Sequence, residues 1–269
     1  MSLLSPIERT TAAPAFPVTP TVRARRLRVE YGDQVALAGI DLDVYPGEVV
    51  ALLGHSGSGK STLMKTLTGI APFTADTLDV AGRSVAAQSA SGLRELRSDV
   101  GYVFQHFNLV PRLTALTNVL TGGLHSAGTI NRLGTFNRAQ RSRALELLDR
   151  VGLAHKAKQP CRSLSGGEQQ RVAIARALMQ QPRLILADEP VASLDPRLAG
   201  TILGLLRDIA REEQIPVIVS LHVVGLARRY ADRVLGLHSG ELVFAGSATT
   251  LTEKEVHQIY GTDTELLEN

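Results

Sequence analysis

The chain has 269 residues, 44% of them hydrophobic, and a formal net charge of +3, so its apolar content suffices for one large core. Its single cysteine, Cys161, excludes an intrachain disulfide and a cysteine-based metal cluster, and no apolar run reaches the roughly 20 residues of a membrane span. We expect no secretory leader. The scattered basic residues, including the short RARRLR cluster, do not predict nucleic-acid binding.

The first part of the chain changes character near residue 22. Residues 1–21 are rich in proline, serine, threonine and alanine, which predicts a flexible tail. The segments LRVEY and DLDVY then alternate apolar and polar side chains, and PGE at residues 46–48 marks a turn. Residues 22–269 are therefore predicted to form the folded domain, which begins with a small antiparallel β element.

Three continuous apolar runs predict strands that are covered on both faces. They are EVVALLG at residues 48–54, RLILADEP at 183–190 and PVIVSLH at 216–222. Helical patterns alternate with them at residues 60–70, 168–180 and 197–213. This order predicts an α/β fold with a parallel-sheet core.

The strand patterns stop between about residues 106 and 163. Within this stretch, TALTNVLTGGL and NRAQRSRALELLDRVGL have helical apolar spacing, while SAGTINRLGTF at residues 126–136 has the composition of an exposed loop. The sequence therefore predicts a helical subdomain inserted into the parallel core.

The segment GHSGSGKS, at residues 54–61, fits the pattern G-x-x-x-x-G-K-[ST] and lies between a predicted strand and a predicted helix. Glycines let successive N–H groups face a phosphate, and the helix N-terminus adds partial positive charge. Lys60 would reach the β and γ phosphates, and the Ser61 hydroxyl would bind Mg²⁺. An ordinary glycine-rich turn is the alternative, which this context disfavours. The predicted nucleotide-binding residues here are Gly54, His55, Ser56, Gly57, Ser58, Gly59, Lys60, Ser61 and Thr62.

Two acids end the second apolar run, where α/β folds place their ligands. Alone, such a pair is more often a helix cap or surface charge. Together with a phosphate loop, it favours a catalytic interpretation: Asp188 would hold Mg²⁺, and Glu189 would align and deprotonate the attacking water.

The segment LSGGEQQR, at residues 164–171, is a second glycine-rich start of a helix. Ser165 suits the N-cap, and Gly166 and Gly167 open the backbone, so this helix start is suited to bind an anion. It lacks a lysine and a preceding strand, so it is not expected to bind a nucleotide alone. An ordinary capped helix is an equally good interpretation of these residues by themselves.

Taken together, these segments resemble the ATP-binding cassette (ABC) family of P-loop ATPases from about residue 27 to residue 246. The resemblance implies a homodimer in which the LSGGE signature of one subunit closes over the phosphate loop of the other, with two ATP molecules between them. The signature residues are Ser165, Gly166, Gly167 and Glu168. Glutamine is usual where Glu168 stands, and we expect activity to survive this departure.

The same resemblance implies roles for other positions. Tyr31 is similar to the aromatic that stacks on adenine, although a core aromatic is the alternative. Gln105 matches the glutamine that touches Mg²⁺ and senses the transporter, and His222 matches the histidine at the γ-phosphate. SLDP at residues 193–196 matches a loop between the two sites. The implied catalytic set is Lys60, Gln105, Glu189 and His222, and the implied Mg²⁺ ligands are Ser61, Gln105 and Asp188.

The resemblance further implies the separate ATPase subunit of an importer, peripheral at the cytoplasmic face of the inner membrane. Its partners would be integral-membrane permease subunits and, indirectly, a substrate-binding protein, with no nucleic acid. The segments ADEPVASLDP and SLHVVGLARRYADRV are most similar to the ATPases of phosphonate importers. An importer of polar amino acids or methionine, and a soluble ABC ATPase without a transport role, stay open as alternatives.

Overall fold

The computed structural model describes residues 19–125 and 136–261. The predicted tail lies outside the described residues except for residues 19–21, and so does the predicted loop at 126–136 except for Phe136. Within the described ranges, no helix combines the length and apolar character needed to cross a bilayer.

The described residues contain ten strands and eight α-helices. The strands are β1 (Val22–Tyr31), β2 (Gln34–Val44), β3 (Val49–Leu53), β4 (Thr77–Val80), β5 (Arg83–Ser84), β6 (Val100–Val103), β7 (Leu184–Ala187), β8 (Val217–Ser220), β9 (Arg233–His238) and β10 (Glu241–Ser247). The α-helices are α1 (Lys60–Leu67), α2 (Ala90–Ser98), α3 (Ala115–Thr121), α4 (Arg138–Arg150), α5 (Gly166–Met179), α6 (Pro196–Glu213), α7 (Val224–Tyr230) and α8 (Glu253–Tyr260).

The predicted antiparallel element is a four-stranded sheet in the order β2-β1-β4-β5. In β1, buried Val22, Ala24, Leu27 and Val29 lie between polar side chains, and the register shifts after Ala24. The arginines of RARRLR all pair with carboxylates. Arg23 and Arg25 pair with Asp43, Arg26 with Asp76, and Arg28 with Glu30.

The predicted parallel core is a six-stranded sheet in the order β10-β9-β3-β8-β7-β6. Strands β9, β3, β8, β7 and β6 are parallel, and β10 adds an antiparallel edge. Alternate residues of β3 enter two different cores: Val50 and Leu52 pack with α1 and the antiparallel sheet, while Val49 and Ala51 pack with α5 and α6. Burial on both faces explains why the central strands are continuous apolar runs.

The helix predicted at residues 60–70 ends at Leu67, because Thr68 caps it and Gly69 takes a positive φ of 63°. The helices predicted at 168–180 and 197–213 agree with α5 and α6 within two residues. The segment predicted as a helical insert contains α3 and α4 and, in its described part, no strand. Strands β6, β9 and β10 and helices α2, α7 and α8 were not predicted.

Candidate active site

The carboxyl ends of four neighbouring strands meet at one edge of the six-stranded sheet. Strand β3 leads into Gly54, β8 precedes His222, β7 precedes Asp188 and Glu189, and β6 precedes Gln105. These strands are adjacent in the order β3-β8-β7-β6. The fold thus gathers residues that lie up to 168 positions apart in the chain, from Gly54 to His222, at the edge where parallel α/β sheets bind ligands.

The phosphate loop has backbone geometry that only glycine adopts readily. Gly54 has a φ of 151°, and a Cβ atom there would collide with the Leu237 carbonyl oxygen and the Ser58 side chain. Gly59 has a φ of 107°, and a Cβ atom there would lie 2.8 Å from the Ala36 carbonyl oxygen. The two glycines therefore allow the loop to curl into the start of α1.

The Lys60 side chain is buried within this loop. Its amino group donates hydrogen bonds to the carbonyl oxygens of Gly54, at 2.6 Å, and His55, at 2.9 Å. Burial lowers the pKa of Lys60, and the negative charges of Glu189 and Asp188 oppose that change. An ammonium group is thus held between the phosphate loop and the acidic pair.

Asp188 is the centre of a small polar network. Its Oδ1 atom accepts a hydrogen bond from the Ser220 hydroxyl at 3.0 Å, and the Ser61 hydroxyl lies 3.4 Å from the same oxygen. Its Oδ2 atom accepts from the Tyr102 hydroxyl at 3.3 Å. Burial and the Asp188 charge both raise the pKa of Tyr102, so this phenol stays a donor.

Glu189 and His222 contact each other across neighbouring strands. The Oε1 atom of Glu189 lies 2.6 Å from Nε2 of His222. The Glu189 backbone has a positive φ of 47°, and its N–H donates to the Ser220 hydroxyl at 2.7 Å. A non-glycine residue in this conformation costs roughly 1–3 kcal/mol, so the surrounding structure holds this carboxylate in a defined place.

Two other predicted residues, Tyr31 and Gln105, are exposed to solvent. Tyr31 ends β1 with 47% of its surface exposed, so it is not the core aromatic that was the alternative. Gln105 is exposed and follows β6 by two residues, next to the end of β7. Within the loop, the His55 ring packs edge-on against His238, with 5.2 Å between ring centroids.

The LSGGE signature starts α5 as a fully formed capping box. Ser165 accepts from the Glu168 N–H, and Glu168 accepts from the Ser165 N–H at 2.9 Å. Lys156 forms an ion pair with Glu168 and lowers the pKa of that carboxyl, as does the Ser165 N–H. Gly166 faces the side chains of Leu194 and Phe107. In the described part of the chain, these contacts do not reach the phosphate loop of the same subunit.

Sequence reasoning missed Tyr102 and Ser220, which orient Asp188 and the backbone of Glu189. Ser220 had a recognisable signal, because it is a polar residue inside the apolar run PVIVSLH and is fully buried. A buried hydroxyl in such a strand requires a hydrogen-bond partner, and here the partner is the acidic pair on the neighbouring strand.

A sequence profile described as ABC transporter matches residues 37–192, more than half of the chain. The chain belongs to the ABC transporter family. This cassette contains the ATP-binding machinery of that family, and both the P-loop and the signature helix lie within the matched residues.

Curated relatives match this cassette over most of its length. It is 50% identical over 241 residues to the phosphate-import ATP-binding protein PhnC of Mycolicibacterium smegmatis, covering 89% of this chain and 91% of that protein. It is 43% identical over 241 residues to the phosphonates import ATP-binding protein PhnC of Rhizobium meliloti, with coverages of 89% and 86%. It is 45% identical over 231 residues to the hypophosphite import ATP-binding protein HtxD of Stutzerimonas stutzeri, with coverages of 86% and 68%.

Solved cassettes share the fold. One is cbiO1 from Clostridium perfringens, part of the ABC transporter complex cbiONQ, with a TM-score of 0.78 and 30% identity over 89% of this chain and 94% of that chain. Another is a dimeric bacterial ABC transporter cassette, with a TM-score of 0.74 and 33% identity over 84% of this chain and 98% of that one. These matches confirm the predicted ABC cassette fold.

Proposed function

We propose that this cassette is the ATP-hydrolysing subunit of an importer for phosphonates or related phosphorus oxyanions. The observation that carries the proposal is the set of relatives at 43–50% identity, whose names refer to phosphate, phosphonates and hypophosphite import. These substrates share a tetrahedral phosphorus centre with anionic oxygens. That shared chemistry favours this class over polar amino acids or methionine.

The residues of the site provide groups that would bind both the phosphates of ATP and a Mg²⁺ ion. The loop N–H groups and Lys60 provide positive charge for phosphates, and the Ser61 hydroxyl and Asp188 carboxylate provide oxygen ligands 3.4 Å apart. Mg²⁺ commonly takes one or two protein ligands beside substrate phosphates. We assign Ser61 and Asp188 to this ion, with Gln105 as a further ligand, and Tyr31 to the adenine ring.

The hydrolytic step falls to the acidic pair and its neighbours. When bound, ATP would supply the γ-phosphoryl group, and Mg²⁺ would neutralise negative charge on the phosphate oxygens. We assign Glu189 to accept a proton from the attacking water and His222 to contact the γ-phosphate. The 2.6 Å contact between the two side chains supports this arrangement, because it orients the Glu189 carboxylate. Lys60 binds the phosphates, and Ser220 and Tyr102 hold Asp188 in the orientation that its role requires.

The signature helix is assigned to the partner subunit's nucleotide. Ser165, Gly166 and Gly167 present a helix N-terminus. Within the subunit, Gly166 lies against Leu194 and Phe107, and Gly167 lies against Leu198, rather than against the phosphate loop. The solved dimeric cassette supports a homodimer as the working unit. We propose two composite sites, each with the phosphate loop of one subunit and the LSGGE segment of the other.

The proposed importer contains partners that this chain does not provide. Permease subunits would dock near the exposed segment after Gln105, at the cytoplasmic face of the membrane. A substrate-binding protein would act through the permease. Dimer closure at the ATP sites would then drive the change of access across the membrane.

Growth on defined phosphorus sources tests the substrate class. The source organism is deleted for this gene and complemented with the wild-type gene or with Glu189→Gln. Methylphosphonate, phosphite, hypophosphite and phosphate are each supplied as the sole phosphorus source. We expect the deletion to abolish growth on at least one of the first three, with rescue by the wild type alone.

The Glu189→Gln gene is the matched control, because it keeps the volume of the side chain. Rescue by this variant would show that uptake does not need hydrolysis by this subunit. Unchanged uptake of radiolabelled methylphosphonate, phosphite, hypophosphite and phosphate in the deletion strain would refute the proposed substrate class.

A further inference from the structure

The C-terminal end of α8 contacts the backbone that carries His222. The Tyr260 hydroxyl donates a hydrogen bond to the His222 carbonyl oxygen at 3.3 Å. This helix lies outside the residues 37–192 that match the family profile. Tyr260 therefore links a helix outside the matched residues to His222, whose side chain contacts Glu189.

The packing of α8 makes this contact specific. A capping box of Thr252 and Glu255 starts the helix, and Val256 and Ile259 are buried. Ile259 lies directly over Gly236 of β9, where any Cβ atom would overlap its side chain. Helix α8 therefore packs closely against β9, and this packing places Tyr260 at the carboxyl ends of β3 and β8.

The same helix end also reaches the phosphate loop. The Ile259 carbonyl oxygen lies 3.1 Å from Nδ1 of His238, and the His238 ring packs on the His55 ring. Burial raises the pKa of Tyr260 to about 12, and the Gly54 backbone opposes this rise. The Tyr260 phenol is therefore a neutral donor at physiological pH, positioned beside the first glycine of the loop.

We infer that Tyr260 is a positioning residue for ATP hydrolysis, which holds the His222 backbone so that the imidazole meets Glu189. This inference rests on the proposed function, because it concerns the hydrolysis assigned to that site. The hydroxyl acts through His222 and touches no reacting atom. Removing it loosens the His222 loop and also removes its contact with the Gly54 backbone. The Lys60 hydrogen bonds to Gly54 and His55 do not involve this hydroxyl and stay in place.

Kinetics of Tyr260→Phe test the inference. The hydrogen bond to the His222 carbonyl and the contact with the Gly54 backbone are both lost. We expect kcat for ATP hydrolysis to fall about three- to tenfold, with less than about a twofold change in KM because the Lys60 contacts remain. Tyr230→Phe is the matched control, because it removes the hydroxyl of another half-buried tyrosine, whose ring contacts Arg207 and Arg229. Its kcat is expected to stay within about 1.5-fold of wild type.

A double-mutant cycle separates positioning from a general structural defect. In a His222→Ala background, Tyr260→Phe should change kcat less than about 1.5-fold, because the group that it positions is gone. A loss of equal size in both backgrounds would overturn the inference, and so would an unchanged kcat in Tyr260→Phe alone.

An NMR measurement tests whether Tyr260 positions His222 independently of ATP hydrolysis. In protein with labelled histidines, the His222 ring resonance is identified by its absence in His222→Ala. We expect Tyr260→Phe to shift this resonance and Tyr230→Phe to leave it in place; an unmoved resonance in Tyr260→Phe would overturn the inference. If the wild type fails to hydrolyse ATP, the proposed function falls, whereas this spectrum still decides whether Tyr260 positions His222.

Discussion

Replacing Glu189 with glutamine separates the chemistry of the site from its stability. The substitution keeps the shape of the side chain and a polar atom beside His222, but removes the proton acceptor. The contact between the two side chains is 2.6 Å long, and the His222 side chain is 42% exposed. Because solvent screens such a contact, its loss should change the free energy of unfolding by less than about 1 kcal/mol.

The effect on turnover should be much larger. A positioned general base contributes about two to four orders of magnitude in rate, which corresponds to about 3–5 kcal/mol in the activation free energy. We therefore expect hydrolysis to fall by about 10²- to 10⁴-fold while ATP affinity changes less than about threefold. With ATP bound but not cleaved, the closed dimer should accumulate.

Three measurements check this expectation. Phosphate release gives kcat, fluorescence titration with a nucleotide analogue gives affinity, and size-exclusion chromatography with Mg²⁺-ATP gives the dimer fraction. A variant that turns over at the wild-type rate would remove Glu189 as the base. A variant that has lost turnover because it has unfolded would be recognised by a melting temperature far below that of the wild type.

Three further predictions address binding, the shared site and pH. Lys60→Ala should abolish detectable nucleotide binding in a titration, because the buried charge on the phosphates is gone; normal affinity would refute the loop assignment. Ser165→Arg and Lys60→Ala should each be inactive alone. Their equimolar mixture should regain about a quarter of the wild-type rate, since half of the dimers are mixed and each mixed dimer retains one intact composite site; no recovery would argue against shared sites. Lys156→Met should lower the free energy of unfolding at neutral pH by about 1 kcal/mol or less. Because the pair lowers the pKa of Glu168, urea unfolding should show this difference above the ordinary glutamate pKa and lose it as the pH falls through the lowered value.

The central strands could be predicted from the sequence because they are buried on both faces. Strands β3 and β7 are uninterrupted apolar runs, and β8 departs from one only at its last residue, Ser220. Their pattern is therefore recognisable without knowledge of the neighbouring strands. Strand β9 contains Gly236, which is there to admit Ile259 and which weakens a strand pattern. The packing of Ile259 from α8 and of Phe244 from β10 against Gly236 explains that glycine, and neither contact is visible in the local sequence.

Helix α8 illustrates a signal that was present but weak. Its capping box, Thr252 with Glu255, follows the T-x-x-E pattern, yet only Val256 and Ile259 are buried behind it. A pattern of eight residues with only two buried apolar side chains does not distinguish a helix from a polar terminal segment. The contact between Tyr260 and His222 spans 38 residues and depends on the sheet order, which no local pattern encodes.

Site residues could be predicted from the sequence where a motif determines both the backbone conformation and the identity of the side chain. The phosphate loop and the acidic pair have such motifs, and the structure brings Lys60, Ser61, Asp188, Glu189 and His222 to one edge of the sheet. The supporting hydroxyls have no motif, because a serine, threonine or tyrosine at any strand position that faces the acidic pair would supply them. Their identity depends on the register between β6, β7 and β8.

The glutamate in the signature illustrates how a departure from a family pattern is accommodated. A capping box accepts either Glu or Gln at its third helical position, so Glu168 performs the same backbone role as the usual glutamine. Its extra negative charge would disfavour a phosphate at this helix N-terminus if the carboxylate had no cationic partner. Lys156 forms an ion pair with it and offsets that charge, and the two side chains are only 26% and 17% exposed. Lys156 and Glu168 therefore act as one neutral unit at the start of α5, which leaves the N–H groups of Gly166 and Gly167 to set the electrostatics of the signature.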